Sequence, residues 1–344
     1  MTALFDVFPQ LRTRVSRVAL GDWPTRVEYG ERVITSGGRG RQGELWLKRD
    51  DLCSPIYGGN KVRLLEHLLG EAQAQGVTRV LSTGATGSNF VLATTLHAAR
   101  AGLAPGAICF PEPLTAEGEL SQRVVAARAQ LIEIPHWSLL PLASERARRE
   151  AERAGESASV LSQVSFTGDG LLGYLAAGLE LGLQLGRREC PVPAAVVLPI
   201  GSSATTAGVL AGLSLARRRG IFSGAPEIHA VRIAAWPLSR RGRVLGLARR
   251  VLARVAELSG DASAALSASE LLQLTLVTDQ LGRGYPFATP AGTRARSAFA
   301  DAGFPILDDT YSAKAAAHAL ELGAAGRAPL LFWCTKSSAA LPDP

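Results

Sequence analysis

Lysine is the rarest charged residue in this chain of 344 residues, which carries 37 lysines and arginines together. Only Lys48, Lys61, Lys314 and Lys336 are lysines, and arginine supplies the other 33 basic residues. The net charge is +7, but the arginines form short clusters on predicted helices with no aromatic residues between them. Such clusters are typical of solvated helix faces, so we expect no binding of nucleic acid.

Cysteine and histidine are also scarce, with four and five residues. The cysteines lie far apart and no two of them have the CxxC spacing, while the histidines are scattered without an HExxH motif. This pattern excludes a disulfide framework and the common zinc and redox motifs, so we predict no metal site. The expected compartment is the reducing cytoplasm.

Long uninterrupted apolar segments are missing. The amino terminus has no basic segment followed by a long apolar core, so we expect no signal peptide. Residues 190–216 carry no charge for 27 residues, which is long enough to span a bilayer. Three prolines and the run Gly201-Ser202-Ser203 interrupt this stretch. A strand, a turn and a helix are therefore the better interpretation, and we expect no membrane contact.

Short β-rich apolar runs alternate with helical patterns along almost the whole chain. The predicted strands are 44–49, 79–83, 106–111, 130–135, 194–200, 227–234 and 330–334. The predicted helices are 61–75, 88–101, 117–128, 143–154, 170–186, 205–218, 240–257, 291–302 and 311–323. Alternation of this kind indicates parallel sheets with crossover helices.

The predicted fold is therefore α/β with two lobes, each a mainly parallel sheet flanked by helices, because the chain is too long for one small core. We expect a larger domain of residues 1–63 and 169–344 and a smaller α/β domain of residues 64–168. The segment 155–170, rich in glycine and serine, is the predicted crossing between the lobes.

The segment AAVVLPIGSSATTAGVLAGL contains a buried strand, a tight turn and a helix start. Free N–H groups and the helix dipole at such a start favour an anion, and Ser202, Ser203, Thr205 and Thr206 add hydroxyl groups. This turn matches neither the GK[ST] nor the GxGxxG pattern, so the predicted phosphate belongs to neither ATP nor a dinucleotide. An ordinary helix cap is the alternative interpretation.

Lys61 follows Gly58-Gly59-Asn60 at the start of a predicted amphipathic helix. A cation is unfavourable at a helix N-terminus, so this position favours an amine that is uncharged most of the time. A lysine joined to an aldehyde as a Schiff base meets that condition. An aldehyde together with a phosphate indicates pyridoxal 5'-phosphate.

Several segments resemble the pyridoxal-phosphate enzymes grouped as 1-aminocyclopropane-1-carboxylate deaminases and D-cysteine desulfhydrases, which have the tryptophan synthase β-like fold (fold type II). They are KRDDL with YGGNKVRLLE, TGATGSNFVLATTLHAARAGL, GSSATTAGVLAGL, GRGYPFATPAG, LDDTYSAKAA and LLFWCTKSS. The segments occur in the family's order, and the resemblance runs from about residue 8 to residue 338.

The resemblance implies a role for each matching residue. Lys61 would hold the cofactor as a Schiff base and move the substrate proton. Ser88 and Asn89 would hold the substrate carboxylate and the cofactor's ring hydroxyl, and Tyr285 and Tyr311 would face the substrate. The phosphate would be held by Ser203, Ala204, Thr205 and Thr206, in a cofactor-binding turn that also includes Gly201 and Ser202. Thr335 would be the partner of the pyridine nitrogen.

Three positions depart from the family pattern. Phe90 stands where the family has His or Gln, and Ser312 where the deaminases have Glu. Lys336 lies in the final turn, where the family has glycine. The missing Glu argues against the ring-opening deaminase. Phe90 suggests a substrate with an apolar or bulkier side chain, because a buried polar group without a partner is costly.

The predicted function is that of a pyridoxal-phosphate-dependent lyase, acting on a small amino acid by Cα deprotonation and β-elimination. D-Cysteine-like substrates fit the resemblance best. Two alternatives stay open: an eliminase of the serine or threonine type that releases ammonia, and a degenerate member that binds the cofactor without efficient turnover. We also expect a homodimer.

Overall fold

A computed structural model describes residues 2–30, 33, 44–162, 169–234, 236–285, 287–304 and 307–344. These residues form ten strands in two sheets. In chain order the strands are β1 (Val27–Tyr29), β2 (Leu45–Lys48), β3 (Arg79–Ala85), β4 (Ala104–Phe110), β5 (Gln130–Glu133), β6 (Ala158–Ser162), β7 (Ala195–Ile200), β8 (Glu227–Arg232), β9 (Leu274–Val277) and β10 (Leu330–Trp333).

Ten α-helices lie within the same residues. They are α1 (Ala3–Val7), α2 (Asn60–Ala74), α3 (Asn89–Arg100), α4 (Ala116–Arg128), α5 (Leu140–Arg153), α6 (Leu171–Gly186), α7 (Ala204–Arg218), α8 (Arg241–Ser259), α9 (Pro290–Asp301) and α10 (Ser312–Ala324). None of these described helices combines the length and the apolar character that crossing a membrane requires.

Both sheets are mainly parallel. The larger sheet has the order β1-β2-β10-β7-β8-β9, and β1 is its one antiparallel strand. The smaller sheet has the order β5-β4-β3-β6 and is parallel throughout. The predicted α/β architecture of two mainly parallel sheets flanked by helices is confirmed. The uncharged stretch 190–216 forms β7, a turn and most of α7, as predicted.

The two sheets draw on different parts of the chain. The smaller sheet lies within residues 79–162, whereas the larger one takes strands from near both ends, with Leu45 paired to Leu330. We propose the division of the chain into residues 1–63 with 169–344 and residues 64–168, as expected from the sequence. Its first boundary falls inside α2.

Three short strands were not predicted: β1, β6 and β9. The correction matters most for β6, because it lies in the segment 155–170 that was predicted to be a crossing. It pairs in parallel with β3 from Arg79↔Ala158 to Thr83↔Ser162. Its residues ASVLS are mostly small and lie at the sheet edge, so they lack the β-branched pattern that indicates a strand. Residues 163–168 of the predicted crossing lie outside the described residues.

A buried cluster of charges joins β2, α2 and α6. Lys48 Nζ donates to Glu180 Oε1 at 2.5 Å, while Arg63 donates to Asp50 Oδ1 at 2.7 Å and to Glu180 Oε1 at 2.9 Å. Two cations therefore face two anions, which is the condition under which charges are tolerated inside a protein. Burial by itself would raise the pKa of Glu180, but Arg63 and Lys48 outweigh it and lower the pKa to about 2.

Glu180→Ala should lower the free energy of unfolding by about 3–5 kcal/mol, because it leaves two buried cations facing one anion. The matched control is Glu150→Ala, which removes an exposed helical partner of Arg146. That change should stay within about 0.5 kcal/mol. Urea unfolding curves of the two variants and the parent measure the difference. Equal losses would contradict a structural role for the buried cluster.

Candidate active site

The start of α2 lies directly against the turn that follows β10. Asn60 N donates to the carbonyl oxygen of Thr335 at 3.0 Å. A Cβ atom on Gly59 would stand 2.5 Å from that same oxygen, and one on Gly58 would stand 2.2 Å from the carbonyl oxygen of Asp51. Gly59 also has a φ of +95°. Only glycine fits these two positions, and the contact places Lys61 beside the turn.

Lys61 lines a cavity of about 810 Å³. Burial lowers the pKa of its amine to about 8. Among the described residues the amine makes no ion pair or hydrogen bond that would hold its proton. A larger share of neutral amine is therefore present near neutral pH than for an ordinary lysine.

The start of α3 forms a second wall of this cavity. Ser88 is the N-cap residue, and its Oγ accepts a hydrogen bond from Phe90 N at 3.3 Å. Its hydroxyl proton stays free to donate. Asn89 follows, and its Oδ1 accepts from Lys336 Nζ at 2.6 Å and from Tyr57 OH at 3.2 Å.

The start of α7 forms a third wall. Ser203 has a φ of +75°, and its hydroxyl donates to the carbonyl oxygen of Leu238 at 2.5 Å, so it offers its backbone N–H rather than its side chain. Thr205 Oγ1 accepts from Asn60 Nδ2 at 2.8 Å and keeps its own proton to donate. Thr206 Oγ1 is buried and has no partner among the described residues. Its hydroxyl and the free N–H groups of the helix start suit an anion.

Two tyrosines complete the cavity. The hydroxyl groups of Tyr285 and Tyr311 are 2.8 Å apart, and the rings meet edge to face with centroids 5.6 Å apart. Lys314 Nζ donates to the carbonyl oxygens of Leu281 and Gly284 at 3.1 and 3.0 Å, which holds the loop before Tyr285. Burial raises the pKa of both tyrosines, so both stay protonated near neutral pH.

The fold brings nearly all predicted site residues to this one cavity. Those that line it are Lys61, Ser88, Asn89, Gly201, Ser202, Ser203, Thr205, Thr206, Tyr285, Tyr311 and Thr335. Ala204 is the exception, because it is the buried first residue of α7 and can contribute only its backbone. The role of each residue remains a prediction.

Other lining residues were missed by the sequence argument. Tyr57 and Asn60 stand within the segment YGGNK, so their proximity to Lys61 was the available signal. Trp137 and Trp236 come from distant parts of the chain, and no sequence motif indicated that they line the cavity. Their side chains line the cavity while 60% and 67% of their surface is exposed to solvent.

One cavity of this two-sheet α/β fold contains a lysine amine with a lowered pKa and a helix start that favours an anion. These features are typical of an enzyme whose cofactor carries an aldehyde and a phosphate. The chain belongs to the pyridoxal-phosphate dependent enzyme family, whose model matches residues 23–329. The cavity fits this cofactor on two points: the Lys61 amine, whose pKa is lowered, suits the aldehyde, and the unpartnered Thr206 hydroxyl at a helix start suits the phosphate.

Individual relatives agree with this assignment. The chain is 35% identical over 298 residues to the nocardicin C-9' epimerase of Nocardia uniformis subsp. tsuyamanensis, covering 85% of this chain and 86% of the relative. It is 28% identical over 315 residues to the D-cysteine desulfhydrase of Salmonella paratyphi A, covering 89% and 88%. The solved structure of an ACC deaminase homologue matches with a TM-score of 0.74 at 24% identity, covering 96% of this chain and 94% of the other, which shows the same fold.

Thr206→Val should weaken the binding of pyridoxal phosphate about tenfold, since it removes one hydrogen bond to a charged group. Without cofactor it should not lower the free energy of unfolding, because the lost hydroxyl is buried and unpartnered. The matched control is Thr95→Val, which removes another buried, unpartnered hydroxyl, on α3. Calorimetric titration measures affinity and urea unfolding measures stability. An equal loss of affinity in both variants would contradict the phosphate site.

Borohydride reduction of the protein with its cofactor should attach a pyridoxyl group to Lys61, located by peptide mass spectrometry. Lys61→Arg keeps a cation but should give no adduct, because the guanidinium group does not form the bond. Lys336 provides an internal control as another amine that lines the cavity. An adduct on Lys336, or none in the parent protein, would contradict the assignment of Lys61.

Proposed function

We propose that the protein is a pyridoxal-phosphate-dependent lyase that removes the α-proton of a small amino acid and expels its β-substituent, with D-cysteine as the model substrate. The observation that carries this proposal is the cavity that is lined by both Lys61 and the hydrogen-bonded pair Tyr285 and Tyr311. Such a pairing supplies a base and an acid to one substrate, which elimination requires.

Each protein group has a specific task in this proposal. When bound, pyridoxal phosphate supplies the electron sink that makes the α-proton removable. Lys61 Nζ takes that proton. The Ser88 hydroxyl and the N–H groups at the start of α3 bind the carboxylate, and the helix dipole favours this anion. The tyrosine pair, which is protonated near neutral pH, donates a proton to the departing group.

Ser312 supports elimination over ring opening. It occupies the position at which the resemblance places Glu in the deaminases. Its side chain is buried, its Oγ has no partner among the described residues, and its N donates to Asp308 Oδ2 at 3.1 Å. A serine hydroxyl cannot act as a carboxylate base or acid in place of Glu, so we infer that 1-aminocyclopropane-1-carboxylate is not the substrate.

A second candidate function is epimerisation at the α-carbon of a bulkier amino acid. The specific observation is the apolar wall of the cavity, to which Phe90, Phe110, Trp137, Trp236 and Leu238 contribute. These side chains leave room for a large substituent, whereas cysteine needs little of the cavity volume. The 35% identity to a relative named as an epimerase points the same way. Epimerisation also begins with removal of the α-proton.

Two further expectations stand as proposals. We infer that the enzyme works in the cytoplasm, and the four cysteines support this because all are buried and unpaired. We also infer a homodimer. The exposed apolar side chains of Trp137 and Leu142, near the start of α5, are candidates for contact with a second copy.

Incubation in deuterated water with D- and L-cysteine, and with bulkier D- and L-amino acids, separates the two functions. Elimination from D-cysteine should yield pyruvate, sulfide and ammonia. Epimerisation should instead yield the opposite enantiomer, with deuterium at the α-carbon and no loss of the side chain. Proton NMR follows the exchange and the elimination products, and chiral chromatography identifies the enantiomer. Tyr311→Phe should slow elimination by about 10²–10⁴-fold if the tyrosine donates a proton.

The parent protein without cofactor and the Lys61→Arg variant are the controls, and both should leave the α-proton in place. Deuterium exchange that yields the opposite enantiomer, without products of elimination, would support the epimerase in place of the lyase. Absence of exchange for every amino acid, despite bound cofactor, would favour the degenerate member that binds the cofactor without turnover.

A further inference from the structure

Lys336 occupies a position in the cavity wall that brings several acceptors together. Its backbone forms an isolated antiparallel bridge with Gly59, which fixes it beside the start of α2. Its Nζ donates to Asn89 Oδ1 at 2.6 Å, to Tyr57 OH at 2.8 Å and to Glu117 Oε1 at 2.8 Å. The side chain is 10% exposed. All three protons of the ammonium group therefore have partners.

These bonds determine which end of the Asn89 amide is available. A lysine ammonium group only donates hydrogen bonds, so its partner on Asn89 must be the amide oxygen. Tyr57 OH, at 3.2 Å, occupies the second acceptor position of that oxygen. The amide nitrogen Nδ2 makes no hydrogen bond within the described part of the chain. Asn89 can therefore offer the cavity a donor but not an acceptor.

The charge on Lys336 is retained in this setting. Burial by itself would lower the pKa of its amine, but Tyr57 and Glu117 outweigh it and raise the pKa above the ordinary lysine value. Its only carboxylate partner among the described residues, Glu117, has a side chain that is 47% exposed and so screened by water. A cation at 2.6 Å from the amide oxygen polarises the amide and makes Nδ2 a stronger donor.

We propose that Lys336 is a positioning residue that presents Asn89 Nδ2 to the ring hydroxyl of pyridoxal phosphate and strengthens that hydrogen bond through its charge. This inference rests on the cofactor site of the proposed function. This role would explain why Lys336 lies in a turn where the family pattern has glycine. The hydrogen bond from Asn89 would favour the ionised form of the ring hydroxyl.

The test compares two ligands that lack an aldehyde and so cannot bond to Lys61: pyridoxine 5'-phosphate and its 3-deoxy analogue. Calorimetric titration of the full chain, after removal of its cofactor, gives both affinities. Lys336→Met should weaken the binding of pyridoxine 5'-phosphate about tenfold, the effect of a charge-assisted hydrogen bond. The same variant should weaken the 3-deoxy analogue by less than about twofold, since that ligand has no hydroxyl for Asn89.

Two controls separate positioning from general support of the cavity. In an Asn89→Ala background, Lys336→Met should cost less than about twofold, because the two residues act through one hydrogen bond. Glu117→Gln breaks the ion pair of Lys336 but leaves its bond to Asn89, so it should keep the parent affinity within about twofold. Lys336→Gln provides the same ligand comparison if Lys336→Met does not fold.

Equal weakening of both ligands would overturn the inference, as would a parent protein that binds both ligands equally. Additive losses from Lys336→Met and Asn89→Ala would also overturn it. A parent protein that binds neither ligand would overturn the cofactor site and the inference together. Selective weakening in a protein that eliminates no amino acid would support the inference and contradict only the lyase.

Discussion

The contact between the Gly58-Gly59 turn and the turn after β10 is the constraint on which the site depends. It joins segments that are more than 270 residues apart, and it is possible only because no Cβ atom intervenes between Gly59 and the carbonyl oxygen of Thr335. The same contact directs Lys61 and Lys336 into one cavity. A larger side chain at Gly59 would push the two turns apart and separate the groups that are assigned to the cofactor's aldehyde and ring, whereas one at Gly58 would collide with the backbone of Asp51.

Each of the four lysines has a physical reason for not being arginine, and three of them share the same one. Lys48, Lys314 and Lys336 each direct a compact ammonium group at two or three converging acceptors. A planar guanidinium fork is larger and does not fit such a convergence. Lys61 differs, because its assigned role depends on a neutral amine, which a pKa lowered to about 8 makes more available. Arginine is never neutral in a protein, so it cannot supply a free amine.

The remaining character of the site follows from the parallel sheets. In a parallel sheet the strands end on the same side, and the helices that follow begin there. The start of α3 follows β3, and the start of α7 follows β7. Two helix N-termini from two different sheets therefore face one cavity, where their dipoles favour anions. An anionic cofactor and a substrate carboxylate can both bind without a dedicated arginine in the predicted ligand set.

The sequence by itself determined the parallel α/β architecture and most helices and strands. It also determined those cavity residues whose chemistry is evident from their sequence neighbours, namely Lys61 after two glycines and the Gly201 turn before α7. These features depend on neighbouring residues, so spacing and pattern reveal them. Tertiary structure alone decided that Lys336 holds Asn89 through its amide oxygen, that Trp137 and Trp236 line the same cavity, and that the small residues of β6 complete a sheet. Each of these depends on distances between residues that are remote along the chain, and no local pattern encodes such distances.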